Sequence, residues 1–343
     1  MSKKYNVCVL GATGMVGKEM LRVLEQRDFP VGKFLPLASE RTAGQTVKFK
    51  GKEYTVEVAS PDSFKGMQIG LFSAGAKVSA LLAPAAVKAG CVVIDNTSHF
   101  RMDPEVPLIV PEVNGEAIKQ HKGIIANPNC STAQMVLPLK PIYDRVGIER
   151  LVISTYQAVS GWGKEAVEEL LAQTRALLAD PAAKVEAKCI FKRIAFNVVP
   201  QIDQFVANGY TKEEMKMVNE TRKILADDSL KITATTVRVP VMIGHSESVN
   251  IQTRKKISVQ EVRQLISQFP TVKVVDNPAK GEYPTPIDCA GRDETLVGRI
   301  REDISIPNGL EMWIVADNLR RGAALNAVII AERLLAFGNK AGC

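Results

Sequence analysis

The first strand–helix junction of the chain reads Val7-Cys8-Val9-Leu10-Gly11-Ala12-Thr13-Gly14-Met15-Val16-Gly17. A short apolar run is typical of a buried strand, and the helical pattern that follows begins at Met15. The spacing G-x-x-G-x-x-G allows a tight turn and a close approach of the backbone to a pyrophosphate. A helix beginning there would offer free N–H groups to the phosphates. The stretch predicts a nucleotide-binding turn, with a glycine-rich structural turn as the alternative.

Strands and helices alternate through about the first 130 residues. Further strands are indicated at Lys33–Leu37, Ile69–Ser73 and Val92–Asp95, and helices at Met15–Arg27 and Ser79–Ala89. A hairpin is indicated around Lys50-Gly51-Lys52. This alternation favours a Rossmann-like α/β domain, with a parallel sheet covered by helices on both faces.

The remainder of the chain has a different pattern. β-rich runs and amphipathic helices from Leu151 onward predict an α+β domain with a mixed sheet. The last helical pattern, Gly322–Leu335, can return to the first domain. We therefore expect residues 1–130 and 319–343 to form the nucleotide-binding domain and residues 131–318 to form a second domain.

Composition excludes several classes of protein. The 343 residues carry a net charge of +7 that does not gather into a basic run, so a nucleic-acid partner is not expected. The opening Met1-Ser2-Lys3-Lys4-Tyr5 leads straight into a strand, and no apolar stretch approaches the roughly 20 residues of a membrane span. The cysteines are scattered without metal-ligand spacing, which indicates reduced thiols, a cytoplasmic location and no metal site.

The loop after the second strand bears on the choice of cofactor. Ser39, Arg41 and Thr42 could bind the 2′-phosphate of NADP, whereas Glu40 could bind the ribose hydroxyls of NAD. We favour NADP, with NAD as the alternative.

Cys130 is the candidate nucleophile. It stands in Asn127-Pro128-Asn129-Cys130-Ser131-Thr132, between a β-like run and the apolar segment Ala133–Leu139. Pro128 favours a turn, so the thiol would lie at the start of a helix, where the helix dipole favours the thiolate. The same N–H groups could hold an oxyanion. A buried structural cysteine is the alternative, and it fits Cys8 and Cys91 better.

The candidate base is His245, which follows Gly244 at the end of a predicted strand. His121 lies in a polar run typical of solvent exposure, and His99 lies in a loop that could border a ligand. Arg238, flanked by valines, could bind a carboxylate or form a structural ion pair. Arg101 follows the end of another strand, where ligands of such sheets bind.

Together these motifs resemble the bacterial aspartate-β-semialdehyde dehydrogenases over nearly the whole chain. The matching segments include Gly11–Gly17, Leu37–Gly44, Phe72–Gly75, Asp95–Ser98, Val110–Asn114, Pro128–Thr132, Ser154–Gly161, Pro200–Asp203, Glu213–Lys216, Arg238–Val241, Gly244–Glu247 and Asp317–Leu319 with Gly322–Ala324.

The resemblance implies reduction of L-aspartyl-4-phosphate by NADPH to the semialdehyde, through a thioester on Cys130, in lysine, threonine and methionine biosynthesis. It implies that Asn129 helps to hold the oxyanion, that Gln157 positions the substrate and that His245 acts as acid and base. Substrate-binding residues would be Arg238 for the carboxylate, Glu213 for the ammonium group, and Arg101 and Lys216 for the phosphate. Residues implied to contact NADP are Gly11, Thr13, Gly14, Met15, Val16, Arg41, Thr42, Ser160, Gly161 and Asn318. It also implies that the first domain binds NADP and that the second, catalytic domain forms a homodimer or a dimer of dimers.

Two segments depart from that family. Ser160-Gly161 is followed by Trp162-Gly163 instead of Ala-Gly, which could alter coenzyme preference. Segment Asp180–Arg193 is shorter than in many members, which use it at the subunit interface. The alternatives are an enzyme like N-acetyl-γ-glutamyl-phosphate reductase, a glyceraldehyde-3-phosphate dehydrogenase, with which this chain shares only the fold and the use of a cysteine and a histidine, and a catalytically silent NADP-binding protein.

Overall fold

A computed structural model describes residues 3–340 of the chain. The chain divides into two compact units, Met1–Asn129 with Ala323–Cys343, and Cys130–Gly322. The strands are β1 (Tyr5–Leu10), β2 (Val31–Ala38), β3 (Thr46–Phe49), β4 (Lys52–Thr55), β5 (Glu57–Val58), β6 (Ile69–Phe72), β7 (Val92–Asp95), β8 (Ile124–Ala126), β9 (Ile148–Gln157), β10 (Lys231–Arg238), β11 (His245–Thr253), β12 (Val272–Val274), β13 (Thr295–Asp303) and β14 (Gly309–Ala316).

The α-helices are α1 (Met15–Gln26), α2 (Ala76–Lys88), α3 (Pro111–Asn114), α4 (Cys130–Val146), α5 (Lys164–Ala179), α6 (Lys212–Leu225), α7 (Val259–Ser267), α8 (Pro286–Cys289) and α9 (Leu325–Lys340). Short 3-10 helices cover Pro61–Phe64, Gly115–Gln120, Val159–Gly161 and Pro278–Lys280, and a π-helical turn covers Arg320–Ala324.

The first unit is built on a parallel sheet in the order β5-β2-β1-β6-β7-β8. Strand β1 shows why both faces are covered: Val7 and Val9 belong to the core shared with α1 and α9, while Cys8 and Leu10 belong to the core shared with α2. A strand buried on both faces reads as a continuous apolar run. The predicted Rossmann-like class is confirmed.

The second unit is built on a six-stranded mixed sheet in the order β10-β9-β11-β14-β13-β12. Strand β10 runs parallel to β9, and β11 runs antiparallel to both β9 and β14. Helices α4, α6 and α7 contact this sheet. Alternate residues of β11, including Glu247, Val249 and Ile251, are fully buried. The predicted mixed sheet is confirmed.

Turn and capping residues explain where several of the strands and helices begin. The hairpin of β3 and β4 turns on Lys50 and Gly51, which both have positive φ as a two-residue turn requires. Helix α6 begins at Lys212, because Thr211 and Glu214 form a capping box at its start. Helix α2 begins at Ala76, three residues before the predicted Ser79, because Gly75 provides the turn.

The last helix differs from its prediction. The pattern indicated a helix from Gly322, but α9 begins at Leu325 after the π-helical turn. The N–H of Gly322 donates to the carbonyl of Asp317 at 3.2 Å, the wider spacing of a π-turn. Such turns often occur at functional sites, and this one adjoins Cys130.

Candidate active site

Cys130 is the first residue of α4 and is half-buried. Its backbone lies against Gly322: a Cβ atom placed on Gly322 would stand 2.6 Å from the Cys130 Cβ and 2.9 Å from its Cα. Glycine is therefore required at position 322 for Cys130 to occupy its place. At the N-terminus of α4 the free N–H groups and the helix dipole favour a thiolate.

The other polar groups of the second unit come from strand ends at one edge of the mixed sheet. Gln157 ends β9 and Arg238 ends β10, and the two residues are paired across these parallel strands. His245 begins β11, which runs antiparallel to β9. The register therefore brings Gln157, Arg238 and His245 to the same edge.

Gln157 is buried and its amide orientation is determined by two contacts. Its Nε2 donates to Ser131 Oγ at 2.9 Å and to Glu213 Oε1 at 3.3 Å. The side chain thus links the first turn of α4 to the first turn of α6. Because Nε2 donates both of these hydrogen bonds, the side-chain carbonyl oxygen is the atom available to accept a hydrogen bond from a ligand.

His245 is buried, and its Nδ1 accepts the backbone N–H of Ala158 at 3.0 Å. An amide N–H can only donate, so Nδ1 holds a lone pair and the proton of the neutral ring lies on Nε2. Burial, aided by the positive charge of Arg238, lowers the pKa of His245 from 6.5 to about 3. In this geometry the neutral ring presents its Nε2–H as a hydrogen-bond donor, and the role of His245 as acid and base stays a prediction. Within residues 3–340, Nε2 has no partner.

Arg238 is also buried, and its Nη1 donates to the Ala158 carbonyl at 2.7 Å. Burial lowers the pKa of the guanidinium, while the negative charges of Glu213 and Cys130 oppose that shift. In the part of the chain that the structure describes, no carboxylate lies within the 4.0 Å ion-pair distance of Arg238. The alternative of a structural ion pair is therefore not what the geometry favours.

Glu213 and Lys216 lie one turn apart at the start of α6. Lys216 Nζ contacts Glu213 Oε2 at 3.0 Å and Asp203 Oδ2 at 3.2 Å. Glu213 is 5% exposed and shares its other oxygen with Gln157. A phosphate bound at Lys216 would have to compete with these two carboxylates.

The 3-10 turn Val159–Gly161 passes close to buried Arg238 and His245. A Cβ atom on Gly161 would lie 2.9 Å from Arg238 Nη1 and 3.1 Å from His245 Nε2. The Ser160 hydroxyl bonds with the side-chain amide of Asn318, whose Oδ1 also accepts the N–H of Gly244. Asn318 thus connects this turn to the residue before His245.

Trp162 contacts Phe191, and the two residues lie in the segments that we expect to depart from the family pattern. The Trp162 and Phe191 rings meet edge to face with centroids 6.2 Å apart, and the Trp162 side chain is 45% exposed. Phe191 lies in segment Asp180–Arg193, and its contact holds the bulky indole beside the turn that carries Ser160 and Gly161.

In the first unit, a cavity of about 870 Å³ opens at the glycine-rich turn. Its lining includes Gly11, Thr13, Gly14, Ser39, Glu40, Arg41 and Thr42, with Val58, Pro61, Val78 and Leu81 forming an apolar part. The Thr13 and Thr42 hydroxyls join the two loops at 3.0 Å. A Cβ atom on Gly17 would lie 2.1 Å from the Gly11 oxygen, so the turn depends on this glycine. Among the described residues, Met15 and Val16 do not line the cavity; they begin α1.

These features fit a dinucleotide. The first N–H groups of α1 lack acceptors within the helix and can hold phosphate oxygens, and the apolar part of the cavity suits a flat base. Arg41 supplies a cation at the rim for a 2′-phosphate, and Glu40 stands beside it.

Arg101 and Asn129 complete the predicted set, and both are buried in the first unit. Arg101 Nε donates to the Asn127 carbonyl at 2.9 Å, and its Nη2 donates to the Asn96 carbonyl at 2.7 Å. The guanidinium is thus oriented by the backbone around it. Asn129 immediately precedes Cys130 in the chain.

Sequence reasoning missed several residues that shape the site. Ser131 holds Gln157, Asp203 holds Lys216, and Gly322 adjoins Cys130. Ser131 and Asp203 belong to segments that carried the resemblance, but their partners are distant in sequence, so no local pattern could identify these contacts.

Neither a metal-binding cluster nor a membrane-spanning helix is found among the described residues. No group of three or more His, Cys, Asp or Glu side chains has an arrangement suited to a metal ion. No helix in residues 3–340 combines the length and apolar character needed to cross a membrane. Cys343 lies outside the described residues.

Comparison with known proteins gives two family matches. Residues 6–121 match the semialdehyde dehydrogenase NAD binding domain, and residues 139–321 match the semialdehyde dehydrogenase dimerisation domain.

Individual relatives agree with these matches. An aspartate-semialdehyde dehydrogenase from Aquifex aeolicus is 55% identical over 97% of this chain and 99% of its own length. The crystal structure of aspartate semialdehyde dehydrogenase II from Vibrio cholerae complexed with ASA matches with a TM-score of 0.93 and 50% identity, over 98% of this chain and 99% of that one. The enzyme from Candida albicans, solved with NADP, matches with a TM-score of 0.74 and 26% identity, over 97% and 99% of the two chains.

Proposed function

Because this chain belongs to the aspartate-semialdehyde dehydrogenase family, we propose that it reduces L-aspartyl-4-phosphate to L-aspartate-4-semialdehyde and phosphate with NADPH. This step serves the biosynthesis of diaminopimelate, lysine, threonine and methionine. The observation that carries the proposal is Cys130 at the N-terminus of α4, in one unit with Gln157, Arg238 and His245 at the edge of a single sheet.

Cys130 acts as the nucleophile. Its thiolate is favoured by the helix N-terminus and by the positive charge of Arg238. Attack on the acyl phosphate forms the C–S bond and breaks the C–O bond, and phosphate leaves with the bonding electrons. The oxyanion of the tetrahedral intermediate is held by N–H groups of α4, Asn129 and the Nε2–H of His245.

The cofactor supplies the hydride that reduces the thioester. Release of the aldehyde then breaks the C–S bond and returns Cys130 as the thiolate, so His245 need not take up a proton in this step. A neutral donor with a low pKa is suited to that task.

Charged side chains recognise the charged groups of the substrate. Arg238 binds the α-carboxylate, Glu213 binds the α-ammonium group, and Arg101 and Lys216 bind the phosphate. The buried carboxylate of Glu213 favours a free ammonium group over the N-acyl group of an N-acetyl-γ-glutamyl-phosphate substrate. Gln157 positions the substrate, and its carbonyl oxygen can accept a hydrogen bond from the α-ammonium group.

The cofactor is NADP, held at the cavity of the first unit. Gly11, Thr13 and Gly14 of the cavity lining bind the pyrophosphate together with the backbone N–H groups of Met15 and Val16 at the start of α1, and Arg41 and Thr42 bind the 2′-phosphate. Ser160, Gly161 and Asn318 are the remaining residues that the family resemblance implies for NADP. We assign cofactor binding to the first unit, and catalysis and dimerisation to the second.

The match to a dimerisation domain supports an oligomer, and we propose a homodimer or a dimer of dimers. We also propose a cytoplasmic location, because a catalytic thiol must stay reduced.

The proposal is tested by assaying aspartate semialdehyde oxidation with phosphate and either NADP⁺ or NAD⁺. We expect phosphate-dependent turnover with kcat/KM at least about tenfold higher for NADP⁺, and a large part of that preference lost in Arg41→Ala. Activity on the N-acetylated glutamate semialdehyde, with none on aspartate semialdehyde, would contradict the assignment of substrate.

A further inference from the structure

We propose that Glu247 is held as a neutral carboxylic acid beneath the first turn of α4, where it is a positioning residue for Cys130 and Gln157. The inference rests on the proposed function only in taking Cys130 as the nucleophile.

Glu247 lies two residues after His245 on β11 and is fully buried. It is paired with Thr155 on β9 and with Ile314 on β14. Its side chain contacts Ser131 and Gln134, which belong to the first turn and a half of α4. The carboxyl group therefore lies between the sheet and the end of the helix that carries Cys130.

Polar atoms around this carboxyl lack hydrogen-bond partners within residues 3–340. They are both oxygens of Glu247, Oε1 of Gln134 and the hydroxyl of Thr155. Gln134 Nε2 donates to the His245 carbonyl at 3.2 Å, so the amide presents its oxygen as the remaining polar end. An ionised Glu247 offers this oxygen no donor, since both groups would be acceptors.

Protonation of Glu247 gives these unpaired groups hydrogen-bond partners. As a neutral acid, Glu247 can donate its O–H to Gln134 Oε1 and accept from the Thr155 hydroxyl with its carbonyl oxygen. Burial also raises the pKa of Glu247, and its contacts with Gln134 and Ser131 only partly oppose that shift. The side chains named around it, Ser131, Gln134 and Thr155, carry no charge to stabilise an anion.

The neutral state has two consequences for the site. It keeps negative charge away from the N-terminus of α4, where a thiolate and then an oxyanion must be stabilised. It also supports the helix turn whose Ser131 hydroxyl accepts the Gln157 amide at 2.9 Å. Glu247 would act on the reaction through these residues and not by touching the substrate.

Infrared spectroscopy of the intact protein tests the protonation state directly. We expect a carbonyl band of a neutral carboxylic acid at neutral pH in wild type, and its loss in Glu247→Gln. An unchanged spectrum in the variant would overturn the neutral assignment. This result does not depend on substrate, so it is independent of whether the proposed reaction is right.

Two variants test the positioning role by the rate at which iodoacetamide alkylates Cys130, and by kcat. Glu247→Gln keeps a neutral group able to donate and accept, and we expect both rates to stay within about threefold of wild type. Glu247→Met has similar volume but no donor, and we expect both rates to fall at least about tenfold with NADP binding unchanged. Wild-type rates in Glu247→Met, or a marked rise in alkylation in Glu247→Gln, would overturn the role.

Glu214 provides a matched control. It is also a buried glutamate, but its carboxylate accepts the backbone N–H groups of Thr211 and Thr236 and so acts as a helix cap. We expect Glu214→Gln to lower the melting temperature while the carboxylic-acid band and the alkylation rate of Cys130 remain. If Glu214→Gln removed the band, the assignment to Glu247 would be wrong.

Discussion

The backbone N–H of Ala158 determines what His245 can do. It occupies Nδ1, so the ring proton stays on Nε2 and the side chain meets the site as a donor. The sequence identified His245 because it follows a glycine at a strand end. It could not indicate the role, because Ala158, the partner that fixes the tautomer, follows the end of β9 and is distant from His245 in the sequence.

This environment makes stability depend on pH. Burial holds the pKa of His245 at about 3 in the folded protein against 6.5 when unfolded. Between these values the unfolded chain binds a proton that the folded chain does not, so the free energy of unfolding falls as pH drops below 6.5. The free energy of unfolding then decreases by up to about 1.4 kcal/mol for each unit that the pH falls.

Urea denaturation of wild type and His245→Gln between pH 6.5 and pH 4.5 tests this dependence. We expect the free energy of unfolding of wild type to fall relative to that of the variant, by up to about 1.4 kcal/mol for each pH unit. His121→Gln is the control, since burial also lowers the pKa of His121 but less severely. Parallel pH profiles for wild type and His245→Gln would show that His245 titrates normally in the folded protein.

At the scale of elements, the site is made by strand ends and two helix starts. Most of these elements were predictable, because apolar periodicity and capping residues are local signals. The π-helical turn before α9 was not predictable, since it packs Gly322 against Cys130, nearly two hundred residues earlier in the sequence, and no local pattern marks such a contact.

Gly322→Ala tests whether that turn positions the nucleophile. The new Cβ would lie 2.6 Å from the Cβ of Cys130 and 2.9 Å from its Cα, so the start of α4 must shift. We expect kcat to fall at least about a hundredfold, because misplacement of a reacting group by about 1 Å has such an effect. The alkylation rate of Cys130 should change as well.

Gly338→Ala is the matched control, because a Cβ there meets no atom within 4 Å on the exposed face of α9. This variant should keep full activity and gain slightly in stability, since alanine is the better helix former. If both glycine variants had equal activity, the contact with Cys130 would not matter to the reaction.

At the scale of the whole molecule, the sequence predicted a nucleotide-binding unit, a mixed-sheet unit and the nucleophile. Motifs that are continuous in the chain, such as the glycine-rich turn and the segment around Cys130, carry that information. Lys216 illustrates what the sequence could not predict. Its position on a helix was predictable, but its contact with Asp203 depends on how two separate segments fold together.

The central claim is a thioester on Cys130, and trapping it is the most direct test. Aspartate semialdehyde and NADP⁺ mixed without phosphate should give a burst of about one NADPH per active site and an aspartyl group on Cys130 by mass spectrometry. Cys130→Ala should bind NADP yet show no burst, whereas Cys189→Ala, which alters another half-buried cysteine of the same unit, should behave as wild type. A burst in Cys130→Ala, or the acyl group on a different residue, would contradict the account.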